Sequence, residues 1–191
     1  MTDLWHAPTS GPALAVLSAV QAAVPVITTD RLTLRAPRVA DFDAYAAVFV
    51  SDRSVFMDGP YDHERAWLDF CQAVASWVLR GVGLYTVTRT DSRAVVGFLF
   101  LWQEFGDPEP EIGWVLCAEA EGHGYATEAA RAVLPLALAQ FGPGGLVSYI
   151  DEGNLSSMRV AERLGARRDI AAEARHAMGC QIWRHGIGGA A

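Results

Sequence analysis

Residues 121–128, which read Glu-Gly-His-Gly-Tyr-Ala-Thr-Glu, form a glycine-rich turn that leads directly into a predicted helix. Glycine lets the backbone turn successive N–H groups to one side. The first turn of a helix adds unsatisfied N–H donors and the positive end of the helix dipole. The segment therefore predicts a cradle for an anionic group such as a pyrophosphate.

Two common phosphate-binding motifs fit this turn poorly. A P-loop is excluded because no Gly-Lys-Ser/Thr follows the glycines. A dinucleotide-binding fingerprint fits in part, since Gly122 and Gly124 have its spacing and Asp151 or Glu152 ends the next predicted strand. However, Thr127 replaces the third glycine, and the preceding strand ends well before the turn, whereas that fold passes straight from strand to glycine.

Residues 111–165 resemble motifs A and B of the GNAT acyl-CoA N-acyltransferases. The first motif comprises the strand Glu111–Leu116 and the glycine turn, and the second is residues 154–165, Asn-Leu-Ser-Ser-Met-Arg-Val-Ala-Glu-Arg-Leu-Gly. Residues 29–35 add to the likeness, which spans about residues 26–185. The nearest branch is that of the ribosomal-protein N-terminal acetyltransferases and their small-amine relatives.

The resemblance implies that acetyl-CoA is the cosubstrate. The turn and helix start would hold its pyrophosphate through backbone N–H groups, at Glu121, Gly122, His123, Gly124, Tyr125, Ala126 and Thr127. Val115 and Leu116 would pair with the pantetheine arm as an extra strand, at a bulge that splays this strand from the next. An N–H near them would stabilise the oxyanion, and Asn154 and Ser157 would also contact the cofactor.

The resemblance also assigns the proton transfers. Glu111 would act as base through water, and Ser157 would protonate the leaving thiolate, because the family's usual Tyr is Ala161 here. A strand Glu that pairs with an Arg on a neighbouring strand is an equal alternative for Glu111, and Asn154 could act only as a helix cap. The acceptor would be a primary amine, either a protein N-terminus or a small molecule, that attacks the thioester directly.

The alternative function is an acyl-CoA-binding regulatory module with weak or no catalysis. It is favoured by the missing Tyr and by Glu121, which stands where the family usually has Gln or Arg. A nicotinamide-binding oxidoreductase is a third and less favoured option. Acceptor specificity in the family is often set before the second helix, here at Asp58, Tyr61 and Asp62, and in the final hairpin loop, here at Arg175 and His176.

The hydrophobic pattern predicts the elements that position these residues. Strands are expected near residues 30–35, 84–88, 95–102, 111–116 and 146–150, with a final hairpin at 166–169 and 180–184. Helices are expected through residues 44–49, where Asp41 could be the cap, and at 62–79, 125–141 and 156–164. This order predicts a mixed α/β fold of the GNAT type, with a central splayed sheet and helices on both faces.

Composition limits the class of protein. With 51% apolar and 19% charged residues, the 191-residue chain is globular. A net charge of −7 argues against non-specific nucleic-acid binding, and the three cysteines and five histidines lack metal-ligand spacing. We expect no metal, no membrane association, a cytoplasmic location and a possible homodimer. Residues 1–26 are expected to be a helical extension, 27–186 the catalytic domain and 187–191 a flexible C-terminal tail.

Overall fold

The computed structural model describes residues 7–186 as one mixed sheet with helices on both of its faces. The strands are β1 (Ile27–Thr28), β2 (Leu32–Arg35), β3 (Leu84–Arg89), β4 (Val95–Trp102), β5 (Glu111–Leu116), β6 (Val147–Ile150), β7 (Arg167–Arg168) and β8 (Gln181–Arg184). They lie in the order β1-β2-β3-β4-β5-β6-β8-β7. Every neighbouring pair is antiparallel except β5 and β6, which are parallel. The predicted mixed, splayed sheet is confirmed.

The helices are α1 (Ala13–Ala23), α2 (Phe42–Phe49), α3 (His63–Arg80), α4 (Tyr125–Phe141), α5 (Leu155–Arg163) and α6 (Ile170–His176). The side chain of Asp62 caps α3 by accepting a hydrogen bond from the Arg65 N–H at 2.7 Å. At the other end Gly81 adopts the left-handed conformation, which ends the helix.

Strand β4 separates the two layers of the core. Side chains alternate across a strand, so Phe98 and Phe100 pack with α2 and α3 on one face, where they contact Tyr45. Leu99 and Leu101 belong to the opposite layer together with α4. Because both faces of β4 are covered, its sequence is almost continuously apolar.

Two local predictions were wrong. Asp41 makes no capping hydrogen bond to α2. Its buried carboxylate instead accepts two hydrogen bonds from Arg35, at 2.7 and 2.8 Å, and one from the Thr86 hydroxyl at 2.8 Å. The predicted final hairpin loop contains α6, which begins because Asp169 accepts a hydrogen bond from the Ala172 N–H at 2.9 Å.

The sheet parts between β5 and β6. Strand β5 pairs with β4 over its whole length, from Glu111 opposite Trp102 to Leu116 opposite Gly97. With β6 it forms a single parallel pair, Glu111 with Val147. The predicted bulge does not interrupt the β4–β5 register, which is continuous, so the splay comes from the loss of pairing on the β6 side.

Helix α1 falls within the predicted N-terminal extension, and none of its residues is buried. None of the helices in the part of the chain that the structure describes is long and apolar enough to cross a membrane. Residues 1–6 and the predicted tail at 187–191 lie outside the described residues.

Candidate functional site

The parted strands open into a cleft of about 1710 Å³. All the residues that the sequence singled out for cofactor binding or proton transfer line this cleft: Glu111, Val115, Leu116, Glu121, Gly122, His123, Gly124, Tyr125, Ala126, Thr127, Asn154 and Ser157. They come from β5, the glycine turn, the start of α4 and the start of α5. The fold therefore brings the two sequence motifs, at residues 111–128 and 154–165, together in one cleft.

The glycine turn presents a continuous row of hydrogen-bond donors. Gly122 and Gly124 have φ values of +77° and +79°, which glycine adopts without strain. Gly124 is the N-cap residue of α4, and no side chain caps this helix. Within residues 7–186, the six N–H groups of residues 122–127 have no acceptor. Thr127, 8% exposed, adds a buried hydroxyl without a partner. These donors fit a diphosphate group.

Arg31 braces the turn from the neighbouring strand region. Its guanidinium donates to Glu128 Oε2 at 2.7 Å and to the His123 carbonyl at 3.1 Å, and it lies 4.8 Å from the centre of the Tyr125 ring. The same carboxylate of Glu128 accepts a hydrogen bond from the Thr29 hydroxyl at 2.5 Å. These bonds hold the turn in one conformation.

The carboxylate of Glu121 is paired with Arg53. The guanidinium of Arg53 donates to Glu121 Oε1, and it lies 3.5 Å from the Leu116 carbonyl. Arg53 belongs to the 3₁₀ turn Asp52–Ser54 on the other side of the cleft. Arg53, which the sequence analysis did not identify, therefore neutralises the negative charge of Glu121 beside the glycine turn.

The inner edge of β5 presents free backbone groups to the cleft. The Cys117 N–H donates to the Val96 carbonyl at 3.0 Å. Because antiparallel pairs alternate, the Val115 N–H also points to β4, whereas those of Trp114 and Leu116 point to the side from which β6 has parted. Val115 therefore offers only its side chain to the cleft. The backbone N–H groups available there are those of Leu116 and of Trp114, a residue that the sequence analysis missed.

Glu111 lies at the point where the sheet divides. Its carboxylate accepts a hydrogen bond from the Trp102 indole at 3.4 Å, and the nearby Tyr149 backbone N–H favours its charged form. Burial and the nearby charge of Asp107 raise its pKa to about 8. In the described part of the chain Glu111 forms no ion pair, so the expected alternative of an Arg partner is not observed.

Asn154 and Ser157 lie on the opposite edge of the cleft. Asn154 caps α5, because its Oδ1 accepts hydrogen bonds from the Ser157 N–H at 3.1 Å and the Ser156 hydroxyl at 2.9 Å. The Ser157 hydroxyl has no partner among the described residues. It is therefore free to donate a proton into the cleft.

One end of the cleft carries a group of carboxylates that we call the acidic wall: Asp58, Asp69, Glu104, Asp107, Glu111 and Asp151. Electrostatic coupling links Glu104 to Asp69 and Asp107, and Asp151 to Asp58. Burial raises the pKa of most of these groups, and the neighbouring carboxylates add to the effect at Glu104 and Asp151. This end of the cleft favours a cation.

The residues expected to set acceptor specificity divide into two groups. Asp58 and Tyr61 line the cleft, whereas Asp62, Arg175 and His176 do not. Arg175 and His176 lie on α6, the helix within the connection between β7 and β8. Across residues 7–186 no cluster of His, Cys, Asp and Glu side chains could hold a metal ion.

Residues 31–167 match the family model described as an acetyltransferase (GNAT) domain. A curated relative, the uncharacterized N-acetyltransferase YnaD of Bacillus subtilis (strain 168), is 27% identical over 150 residues, which cover 75% of this chain and 83% of YnaD.

Two solved structures illustrate the similarity of fold. An acetyltransferase from Agrobacterium tumefaciens str. C58 is 35% identical, with a TM-score of 0.79 over 85% of this chain and 94% of that one. RimL, a ribosomal-protein alpha-N-protein acetyltransferase in complex with coenzyme A, is 16% identical, with a TM-score of 0.62 over 85% of this chain and 98% of that one. At that identity RimL supports the fold alone.

Proposed function

The chain belongs to the GNAT acetyltransferase family, and on that premise we propose that it transfers the acetyl group of acetyl-CoA to a primary amine by direct attack. The observation that carries this proposal is the row of unpaired N–H groups at residues 122–127, which leads to a cleft that ends at an acidic wall. A polyanion fits the first feature and a protonated amine fits the second.

The cosubstrate would be held by the chain's own donors. The N–H groups of the glycine turn and the Thr127 hydroxyl would bind the diphosphate. The N–H groups of Trp114 and Leu116 would face the pantetheine arm and the developing oxyanion. When bound, acetyl-CoA supplies the activated thioester. Arg159 would bind the ribose phosphate of acetyl-CoA, since it lines the cleft and has no ion-pair partner in the described ranges.

Glu111 and Ser157 would move the protons. The amine must lose a proton before it attacks, and a base is most effective when its pKa lies near the working pH. The raised pKa of Glu111, about 8, suits that task directly or through a water. The unpaired hydroxyl of Ser157 would protonate the leaving sulfur.

The acceptor proposed for this reaction is a protein N-terminus or a small cationic amine. RimL is named as an acetyltransferase of protein N-termini, and the acidic wall supports a cationic acceptor of either kind. One of the two arguments for an acyl-CoA-binding module without catalysis no longer holds, because Arg53 neutralises Glu121. The absence of a Tyr at Ala161 still favours it.

The test combines binding and turnover. Acetyl-CoA is titrated into the protein by calorimetry, and thiol release is then followed with a diamine, a monoamine and a peptide with a free N-terminus. We expect binding, and thiol release that depends on the amine. Binding without release under any amine would favour the regulatory module, whereas no binding would contradict the proposal as a whole.

A further inference from the structure

At the point where β5 and β6 separate, a side chain replaces the backbone ladder. After the single parallel pair of Glu111 and Val147, a continued ladder would bring the Tyr149 N–H to the Ile112 carbonyl. Instead the Ser148 hydroxyl donates to that carbonyl at 2.5 Å. The next rung of the ladder is therefore blocked by a side chain.

The Ser148 hydroxyl is itself held by a buried histidine. Its one proton is donated to Ile112, so its oxygen accepts the hydrogen bond from His185 Nε2 at 3.0 Å. This arrangement requires the neutral tautomer of His185 with the proton on Nε2. His185 is fully buried, burial lowers its pKa to about 4, and its Nδ1 has no partner among residues 7–186.

The blocked rung has two consequences for the proposed catalytic site. The Tyr149 N–H, which no longer serves the ladder, lies near the carboxylate of Glu111 and favours its charged form, which lowers its pKa. The Trp114 N–H, which would donate to the Tyr149 carbonyl in a closed ladder, stays free in the cleft. Both groups belong to the machinery of the transfer reaction.

We propose that Ser148 and His185 are positioning residues that keep the sheet open by occupying the Ile112 carbonyl. They act on the reaction through other groups, because neither of them is placed to exchange a proton with a substrate. The part of the inference that concerns catalysis rests on the proposed acetyl transfer, whereas the part that concerns the sheet does not.

Amide hydrogen exchange tests the effect on the sheet. In Ser148→Ala the Ile112 carbonyl loses its partner, and the Tyr149 N–H should move to it. We expect slower exchange of the Tyr149 and Trp114 amides, each by about fivefold, since one hydrogen bond contributes roughly 1 kcal/mol. A merely structural role for Ser148 predicts faster exchange throughout the sheet.

A matched pair of histidine variants provides a second route. His185→Gln keeps a donor near the position of Nε2, and we expect wild-type exchange and turnover. In His185→Asn the shorter amide reaches only the position of Nδ1, so this variant should behave like Ser148→Ala. Ser76→Ala is the control, because Ser76 is a buried serine of α3 that does not line the cleft.

Kinetics test the effect on the reaction. Ser148→Ala and His185→Asn should raise the KM for acetyl-CoA about fivefold, because the Trp114 N–H becomes paired. The rising limb of the pH profile of kcat should move to higher pH, because the Tyr149 N–H, which favours the charged form of Glu111, moves to the Ile112 carbonyl. Unchanged exchange at Tyr149 and Trp114 together with unchanged kinetics would overturn the inference.

The two proposals fail in different ways. If the wild-type protein binds no acetyl-CoA, the proposed function is wrong, yet the exchange rates of Tyr149 and Trp114 still decide whether Ser148 and His185 hold the sheet open. If the wild type is active and Ser148→Ala loses protection everywhere, the serine only stabilises the fold, and the positioning inference is wrong.

Discussion

The two ends of the cleft differ in the kind of group that they offer to a ligand. The cradle end presents main-chain N–H groups, and its arginines Arg31 and Arg53 are already paired with carboxylates. The acidic wall presents side-chain carboxylates, with Arg65 held over the ring of Tyr61 at 4.1 Å. One cleft thus holds main-chain donors that suit a polyanion apart from carboxylates that suit a cation.

The two ends also differ in the number of chain segments that form them. The cradle is a single contiguous segment, so its donors are placed by local backbone conformation. The acidic wall gathers residues from the loop before α3, from α3 itself and from three regions around β4, β5 and β6. Substitutions in the cradle should therefore have large effects on one ligand, whereas those in the wall should have smaller and distributed effects.

The largest effect is expected for Gly124→Glu. The substitution places a carboxylate beside the cradle at a position with φ of +79°, so acetyl-CoA affinity should fall by roughly a hundredfold or more through like-charge repulsion and backbone strain. Gly81→Glu is the matched control, since Gly81 has φ of +73° and lies outside the cleft. Calorimetry should show loss of binding only in Gly124→Glu, and binding retained there would remove the cradle from the mechanism.

Glu111→Gln should lower kcat by roughly 10²- to 10⁴-fold, which is the usual contribution of a general base. In the wild type, kcat should rise as pH passes about 8, because the base must lose its proton. The titratable groups that interact with this carboxyl are Asp107, Glu104, Cys180 and the Tyr149 phenol, beside the Trp102 indole and the Tyr149 N–H.

Deprotonation of the amine substrate could produce a similar rise in rate with pH. The Gln variant separates the two causes, because the limb that belongs to Glu111 should disappear from it. Stability gives an independent check. A pKa raised in the folded state means that the free energy of unfolding falls as pH rises towards about 8, and this dependence should be weaker in Glu111→Gln. An identical pH profile in both proteins would exclude Glu111 as the base.

Arg53→Ala should weaken acetyl-CoA binding by about tenfold, because it leaves Glu121 unpaired beside the cradle. The double variant Arg53→Ala/Glu121→Ala should recover most of the lost affinity. A double-mutant cycle in calorimetry measures this coupling directly. Additive effects would mean that the ion pair does not control the charge of the cradle.

The smallest effect is expected for Glu104→Gln in the acidic wall. The KM for a diamine should rise by about threefold, because one of several carboxylates is lost, and the effect should shrink at high salt. The KM for acetyl-CoA should stay unchanged. Glu119→Gln, which lies outside the cleft, is the control. A larger effect on acetyl-CoA than on the amine would contradict the separation of the two sites.

Hydrophobic periodicity predicted the long elements well. The bounds predicted for β4, β5 and α4 agree with the structure, since each is a strongly patterned segment with a clear turn at its end. Helix α6 was missed because it is short, although Asp169 followed by an alanine-rich stretch is a cap signal that could have revealed it. Asp41 was misread as a cap because its partner Arg35 lies on another element.

Residues 121–128 specify the cradle on their own, because glycine conformation and the start of a helix are local properties of the chain. The rest of the site depends on contacts between distant parts of the chain. It paired Arg53 with Glu121, gathered the acidic wall, and placed Ser148 and His185 where the sheet parts. These contacts join residues far apart in the chain, and their formation depends on the packing of the whole sheet, which no local pattern of residues encodes.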